Sequence, residues 1–160
     1  MIYSATTEYA IRALAHMATL PPGERILARD LAAATGVPRQ FLGKILHRLA
    51  RMGLLDSAKG RGGGFRYLRA PEEISLLEVV QQVEGEDIMR LCVLGLDQCD
   101  GLQPCPLHDQ WMVFRDRLGE RIHSATLADL GTNLRAKRYA QASSSAPSAQ
   151  SSNPVPADPT

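Results

Sequence analysis

No apolar run in this chain approaches the roughly 18 residues needed to cross a bilayer, and no basic-then-apolar leader opens it. Those absences argue against a helical membrane span and a secretory signal, so a cytoplasmic protein is expected. An excess of one charge is also lacking. The formal net charge is +1, so bulk charge gives no argument for a nucleic-acid partner. Catalytic signatures are missing as well: there is no HExxH, no phosphate loop after a strand, and no nucleophile–base pair in a recognisable motif. The chain is therefore not expected to be an enzyme, and no internal repeat points to a solenoid. Cysteine is scarce, at three residues. An odd number cannot form a fully paired disulfide framework, and a reducing cytosol would not favour one.

Charge that is absent on average is present locally. Between Arg25 and Arg69 stand ten basic residues against only Asp30 and Asp56, a net of +8. With 160 residues and 44% apolar content, the chain can bury one ordinary core. Apolar spacing after Thr6-Thr7-Glu8 predicts a first helix that ends before Pro21-Pro22-Gly23. A short second helix, about Arg29 to Thr35, stops at Gly36, and Pro38 suits the first turn of a third. That third helix is expected to turn Phe41, Leu42, Ile45, Leu46, Leu49 and Met52 inward. Arg39, Gln40, Lys44, His47, Arg48 and Arg51 then project outward.

Leu54 to Ala58 and Phe65 to Leu68 read as two short strands. The intervening Lys59-Gly60-Arg61-Gly62-Gly63-Gly64 is too glycine-rich for anything but a tight exposed turn, a β-wing. Ser75-Leu76-Leu77-Glu78 has the form of a capping box opening a helix through Val83, closed by Gly85. Trp111, Phe114, Leu118, Ile122 and Ala125 then recur at intervals of three and four. They predict one long amphipathic helix over about residues 106–129, whose apolar stripe calls for a partner helix from another protomer. From Ala140 onward serine, alanine and proline dominate, so residues 140–160 are expected to form a disordered tail.

The fold class expected is mainly α with a small β-wing: a winged helix-turn-helix over residues 1–85, a loop over 86–108 and a dimerisation helix over 106–130. Arg39, Gln40 and Lys44 lie where a recognition helix meets base edges in the major groove. Glutamine can pair with adenine and arginine with guanine. Arg61 in the wing suits a phosphate or a narrow minor groove, and Lys59, Arg66 and Arg48 suit phosphates. A solvated basic face on a small helical domain is the plainer alternative.

All three cysteines fall in one segment, as Cys92-x6-Cys99-x5-Cys105-x2-His108. Three soft sulfur donors and an imidazole among glycines and prolines point to a loop folded around an iron–sulfur cluster. Zinc could take the same three thiolates and imidazole in tetrahedral geometry. Cysteines packed as small hydrophobes would find little core in such a loop.

The chain resembles the Rrf/IscR-type winged-helix iron–sulfur transcriptional regulators. The resemblance is carried by Glu8-Tyr9-Ala10-Ile11-Arg12-Ala13-Leu14, Phe41-Leu42-Gly43-Lys44-Ile45-Leu46, Gly53-Leu54-Leu55, the wing Lys59 to Phe65, and Ile74-Ser75-Leu76-Leu77-Glu78-Val79-Val80 closing at Glu84-Gly85. The cysteine triplet and Thr126-Leu127-Ala128-Asp129-Leu130 complete it. It implies a homodimer spanning a palindromic double-stranded operator, with crossed long helices. It implies too a 2Fe-2S cluster ahead of a 4Fe-4S one, held by Cys92, Cys99, Cys105 and a fourth ligand. His108 is the first choice for that ligand and Glu8, reaching from the partner chain, the alternative. One departure is the six-residue gap between Cys92 and Cys99, where IscR-like members have five. The function implied is a regulator, a repressor in the first instance, that responds to iron–sulfur status, iron, nitric oxide or redox state. Two rivals are a DNA-binding protein with structural zinc and no sensing role, and an iron–sulfur carrier without DNA binding.

Overall fold

The computed structural model describes residues 3–95, 101–102 and 104–144. Helix α1 (Ala5–Met17) is capped by Ser4, whose hydroxyl accepts from Thr7 N at 3.3 Å. The cap therefore precedes Thr6 and Thr7. Thr7 is left free to be buried.

Helix α2 (Ala28–Thr35) ends at Gly36, which is left-handed at φ 69° as a helix stop of this kind requires. Helix α3 (Arg39–Arg51) starts directly after Pro38. Its Leu42, Ile45, Leu46 and Leu49 are buried as the spacing predicts. Phe41 and Met52 are not: they are 51% and 37% exposed, because Met52 lies beyond the last helical turn and Phe41 sits at the edge of the buried stripe.

Strands β1 (Leu55–Ala58) and β2 (Gly64–Tyr67) pair antiparallel, with Leu55 opposite Tyr67 and Ser57 opposite Phe65. A third backbone joins them at one point. Ile26 N donates to Phe65 O at 3.0 Å and Phe65 N to Ile26 O at 2.9 Å. Gly64 is required for that approach, since a Cβ there would lie 2.5 Å from Ile26 O at φ +120°. No strand signal marks Ile26 in the sequence.

After a 3-10 turn at Pro71–Glu73 comes α4 (Leu76–Glu84), capped by Ser75, which accepts from Glu78 N at 3.1 Å. Only this half of the expected capping box forms, because Glu78 accepts from Arg69 instead. A second 3-10 turn, Glu86–Arg90, leads into the cysteine-bearing segment.

The single long helix expected over residues 106–129 is two helices, α5 (His108–Ser124) and α6 (Leu127–Ser144). Ala125 is extended, at ψ 130°, and Thr126 and Asp129 cap α6 reciprocally: Thr126 N donates to Asp129 Oδ2 at 2.9 Å and Asp129 N to Thr126 Oγ1 at 3.1 Å. The same corner is bonded to the start of α4, through Leu76 N to Ala125 O at 2.8 Å and Leu127 N to Ile74 O at 3.0 Å. Helix α6 then continues to Ser144, into the region expected to be a tail; the rest of that tail lies outside the described residues.

One core joins these elements. Leu14, Leu31, Leu42, Leu46, Leu49, Leu54, Leu55 and Val79 meet in it, and Leu127 of α6 enters the same cluster fully buried. Gly131 lets α6 pass close to α1, since a Cβ there would fall 2.9 Å from that of Ala18. No helix among the described residues is long and apolar enough to cross a membrane.

Candidate nucleic-acid interface and cysteine-bearing segment

The buried stripe of α3 leaves Arg39, Gln40, Lys44, His47 and Arg51 exposed. Gln40 and Lys44 are one turn apart and so share a face. The His47 ring packs edge-on against Phe65 of β2, with centroids 5.1 Å apart, which seats the wing beside α3. In the wing itself Gly63 N closes a turn on Gly60 O at 3.0 Å, leaving Lys59 and Arg61 exposed around it.

The ten basic residues of this segment are not equivalent. Arg25 and Arg66 both donate to Asp56 Oδ2, and together they hold that carboxyl below its usual range. Arg69 is bonded to Glu78, and Arg29 to Asp30 at 3.2 Å. Arg48 does not face outward as expected. Its Nη2 donates to Gln82 O at 3.1 Å and Val83 O at 2.9 Å, at the carboxyl end of α4. Guanidinium groups suit that end, where carbonyls lack helical donors and the dipole is negative. Arg39, Lys44, Arg51, Lys59 and Arg61 form no ion pair with another described residue. Five cations are thus presented by α3 and the wing, and five are engaged internally.

The cysteine-bearing segment is fastened at both ends. Cys92 is buried, and its carbonyl accepts from Gly95 N at 3.0 Å. The preceding carbonyl, of Leu91, accepts from Trp111 Nε1 of α5 at 2.9 Å. Cys105 is half-buried, and its carbonyl accepts from the N–H of His108, the first residue of α5, at 3.0 Å. Cys99 lies outside the described residues. Glu8 is half-buried in the first turn of α1. Among the described residues no three His, Cys, Asp or Glu side chains converge as a metal-binding group. As donors, two described thiols and an imidazole on a residue whose backbone is bonded to that of Cys105 are chemically suited to iron or zinc.

A family model described as Rrf2, iron-dependent transcriptional regulator, matches residues 3–133. The chain belongs to the Rrf2 family. This Rrf2 protein is 34% identical over 142 residues to an HTH-type transcriptional regulator of Mycobacterium tuberculosis, covering 88% of each chain. It is 29% identical over 132 residues to an HTH-type transcriptional regulator of Aquifex aeolicus, covering 81% of this chain and 91% of the other. Its fold is shared with CymR, the global cysteine regulator of B. subtilis, at TM-score 0.67 and 21% identity over 81% of this chain and 95% of that one. It is shared too with T. potens IscR, at TM-score 0.65 and 22% identity over 86% and 89%. The Rrf2 chain is accordingly a winged-helix, DNA-binding transcriptional regulator and not an enzyme.

The capping pair Thr126 and Asp129 and the internal role of Arg48 were not anticipated. The first had a legible signal, a threonine three residues before an acid. The second had none, because a basic residue on a predicted outer face looks the same whatever lies opposite it.

Proposed function

We propose that this Rrf2 regulator reads duplex DNA as a homodimer through α3 and the wing of each protomer, and that an iron–sulfur cluster on the cysteine-bearing segment sets its affinity. The observation that carries the DNA-reading part is the set of five outward cations, Arg39, Lys44, Arg51, Lys59 and Arg61, gathered on α3 and the wing. Gln40 and Arg39 supply base-edge donors, and Lys59 and Arg61 meet the backbone or a narrow groove. Arg66 adds to the field from β2 while bonded to Asp56. Self-association is supported by the apolar residues that α5 leaves exposed. Val113 and Phe114 are 54% and 47% exposed, and Trp111 stacks on Phe114 at 5.7 Å.

Cys92, Cys99 and Cys105 supply the thiolates and His108 the fourth ligand, with Glu8 as the alternative. A cluster so held supplies redox and nitric-oxide reactivity, with 2Fe-2S ahead of 4Fe-4S because the mixed sulfur–imidazole set suits it. The family description as iron-dependent supports the metal. His108 opens α5 and Cys105 sits one turn before it, so ligation would bear directly on the start of the helix that carries the exposed apolar stripe.

Protein purified without oxygen should absorb in the visible and contain iron, and Cys99→Ala should abolish both while leaving the melting of the winged domain in place. Colourless, zinc-loaded protein that binds DNA at full strength would replace the sensing reading with a structural metal site.

A further inference from the structure

The last turn of α4 hands the chain over to the cysteine-bearing segment, and it is bonded to two other helices. The carbonyls of Gln82 and Val83 belong to the final four of α4, which have no donor within the helix. Both accept from Nη2 of Arg48 on α3, which commits the two protons of that nitrogen. From the other side the Glu84 carboxylate accepts from Ser4 N at 2.7 Å and from the fully buried Thr7 of α1. Gly85 then turns the chain at φ 106°. Farther along, the Met89 side chain lies over Gly119 of α5, 3.3 Å from where a Cβ on that residue would stand, and Leu91 is held by Trp111.

Among the described residues, Arg48 makes the only side-chain hydrogen bonds between α3 and α4. It lies one turn from Lys44, so the two side chains are neighbours along α3. The geometry points to Arg48 as a positioning residue that carries a displacement at the head of the cysteine-bearing segment into α3 and its Gln40–Lys44 face. This rests on the reading of α3 as the DNA-contacting helix. A guanidinium bonded to two successive carbonyls follows both the position and the tilt of the helix end, which a single bond from lysine would not do.

A double-mutant cycle on the full chain tests it without requiring any cofactor. Gly85→Ala perturbs the handover alone: its φ is unfavourable for an L residue, yet a Cβ there meets nothing within 4 Å. The probe is a fluorescent duplex selected by the unaltered protein from a random pool. Gly85→Ala should weaken binding about fivefold or more, the low end of coupling between linked sites. In the Arg48→Ala background the same change should have less than about a twofold effect. Arg48→Ala should also leave the dependence of log affinity on log salt unchanged, whereas loss of a phosphate contact would lower that slope by roughly 0.9 per protomer. Should Arg48→Ala not fold, Arg48→Lys serves in its place and should give a coupling intermediate between the two. Additive effects, no effect of Gly85→Ala, or a reduced salt slope would each overturn the assignment. Lys44→Ala separates the two readings. Undiminished binding there removes α3 as the contacting helix, and the Arg48 role with it. Loss of binding there with an additive cycle removes the Arg48 role alone.

Discussion

Salt dependence of DNA binding should report how many of the basic residues are available. Each phosphate neutralised by a protein cation contributes roughly −0.9 to the slope of log affinity against log salt. Had all ten basic residues between Arg25 and Arg69 met phosphates, a dimer would show a slope of about −18. The structure removes Arg25, Arg29, Arg48, Arg66 and Arg69, each bonded to a carboxylate or to helix carbonyls. Five remain per protomer, so a dimer should not exceed a slope of about −9, a loss on the order of 10⁵-fold in affinity for a fourfold rise in salt. Lys59→Ala, present twice in a dimer, should flatten the slope by about 1.8. Fluorescence anisotropy of a labelled duplex over a salt series measures all of this. A slope well steeper than −9, or an unchanged slope in Lys59→Ala, would show that the internally bonded arginines release their partners and bind phosphate.

Three further outcomes follow from the packing and the charge pairs. Leu127→Ala should cost about 2–5 kcal/mol in chemical unfolding, since the side chain is fully buried in the core shared by α1, α3 and α4; a cost below about 1 kcal/mol would remove α6 from that core. Gly64→Ala should cost about 1–3 kcal/mol and loosen the wing, because its new Cβ must push away Ile26 O, and a melting temperature equal to that of the unaltered protein would contradict the close approach. Burial would raise the Glu84 carboxyl, but hydrogen bonds from Thr7 and Ser4 and the charge of Arg48 outweigh it and hold it below the usual range. A depressed folded-state value means stabilisation present above the unfolded carboxylate range and lost as pH falls through the folded one. Thr7→Val should therefore shrink the loss of stability on acidification, and an unaltered acid limb of the pH–stability curve would refute that link.

Much of the fold was legible because local rules and global packing agree. Leu42, Ile45, Leu46 and Leu49 repeat at helical spacing and are buried, Gly36 and Gly85 end helices, and the glycine run between two short strands is a wing. The candidate site was legible by type: the outward cations on α3 and the wing stand where the pattern put them. The break at Ala125 was not read from apolar spacing, since the Trp111 to Ala125 stripe continues smoothly to the corner, and only the Thr126–Asp129 cap and the bonds to Ile74 and Leu76 end the helix there.

By itself, then, the sequence determined the class of fold, the order of its helices and strands as far as α4 and the chemistry of its donors, because those depend on spacing and residue type within a turn or two. Tertiary structure alone decided which cations are spent and which are available. Arg48 and Lys44 are both basic residues one turn apart on α3, and what lies opposite them decides their availability: the carbonyl end of α4 for one, solvent for the other. A partner some 34 positions away along the chain leaves no trace in the local pattern that predicts a face.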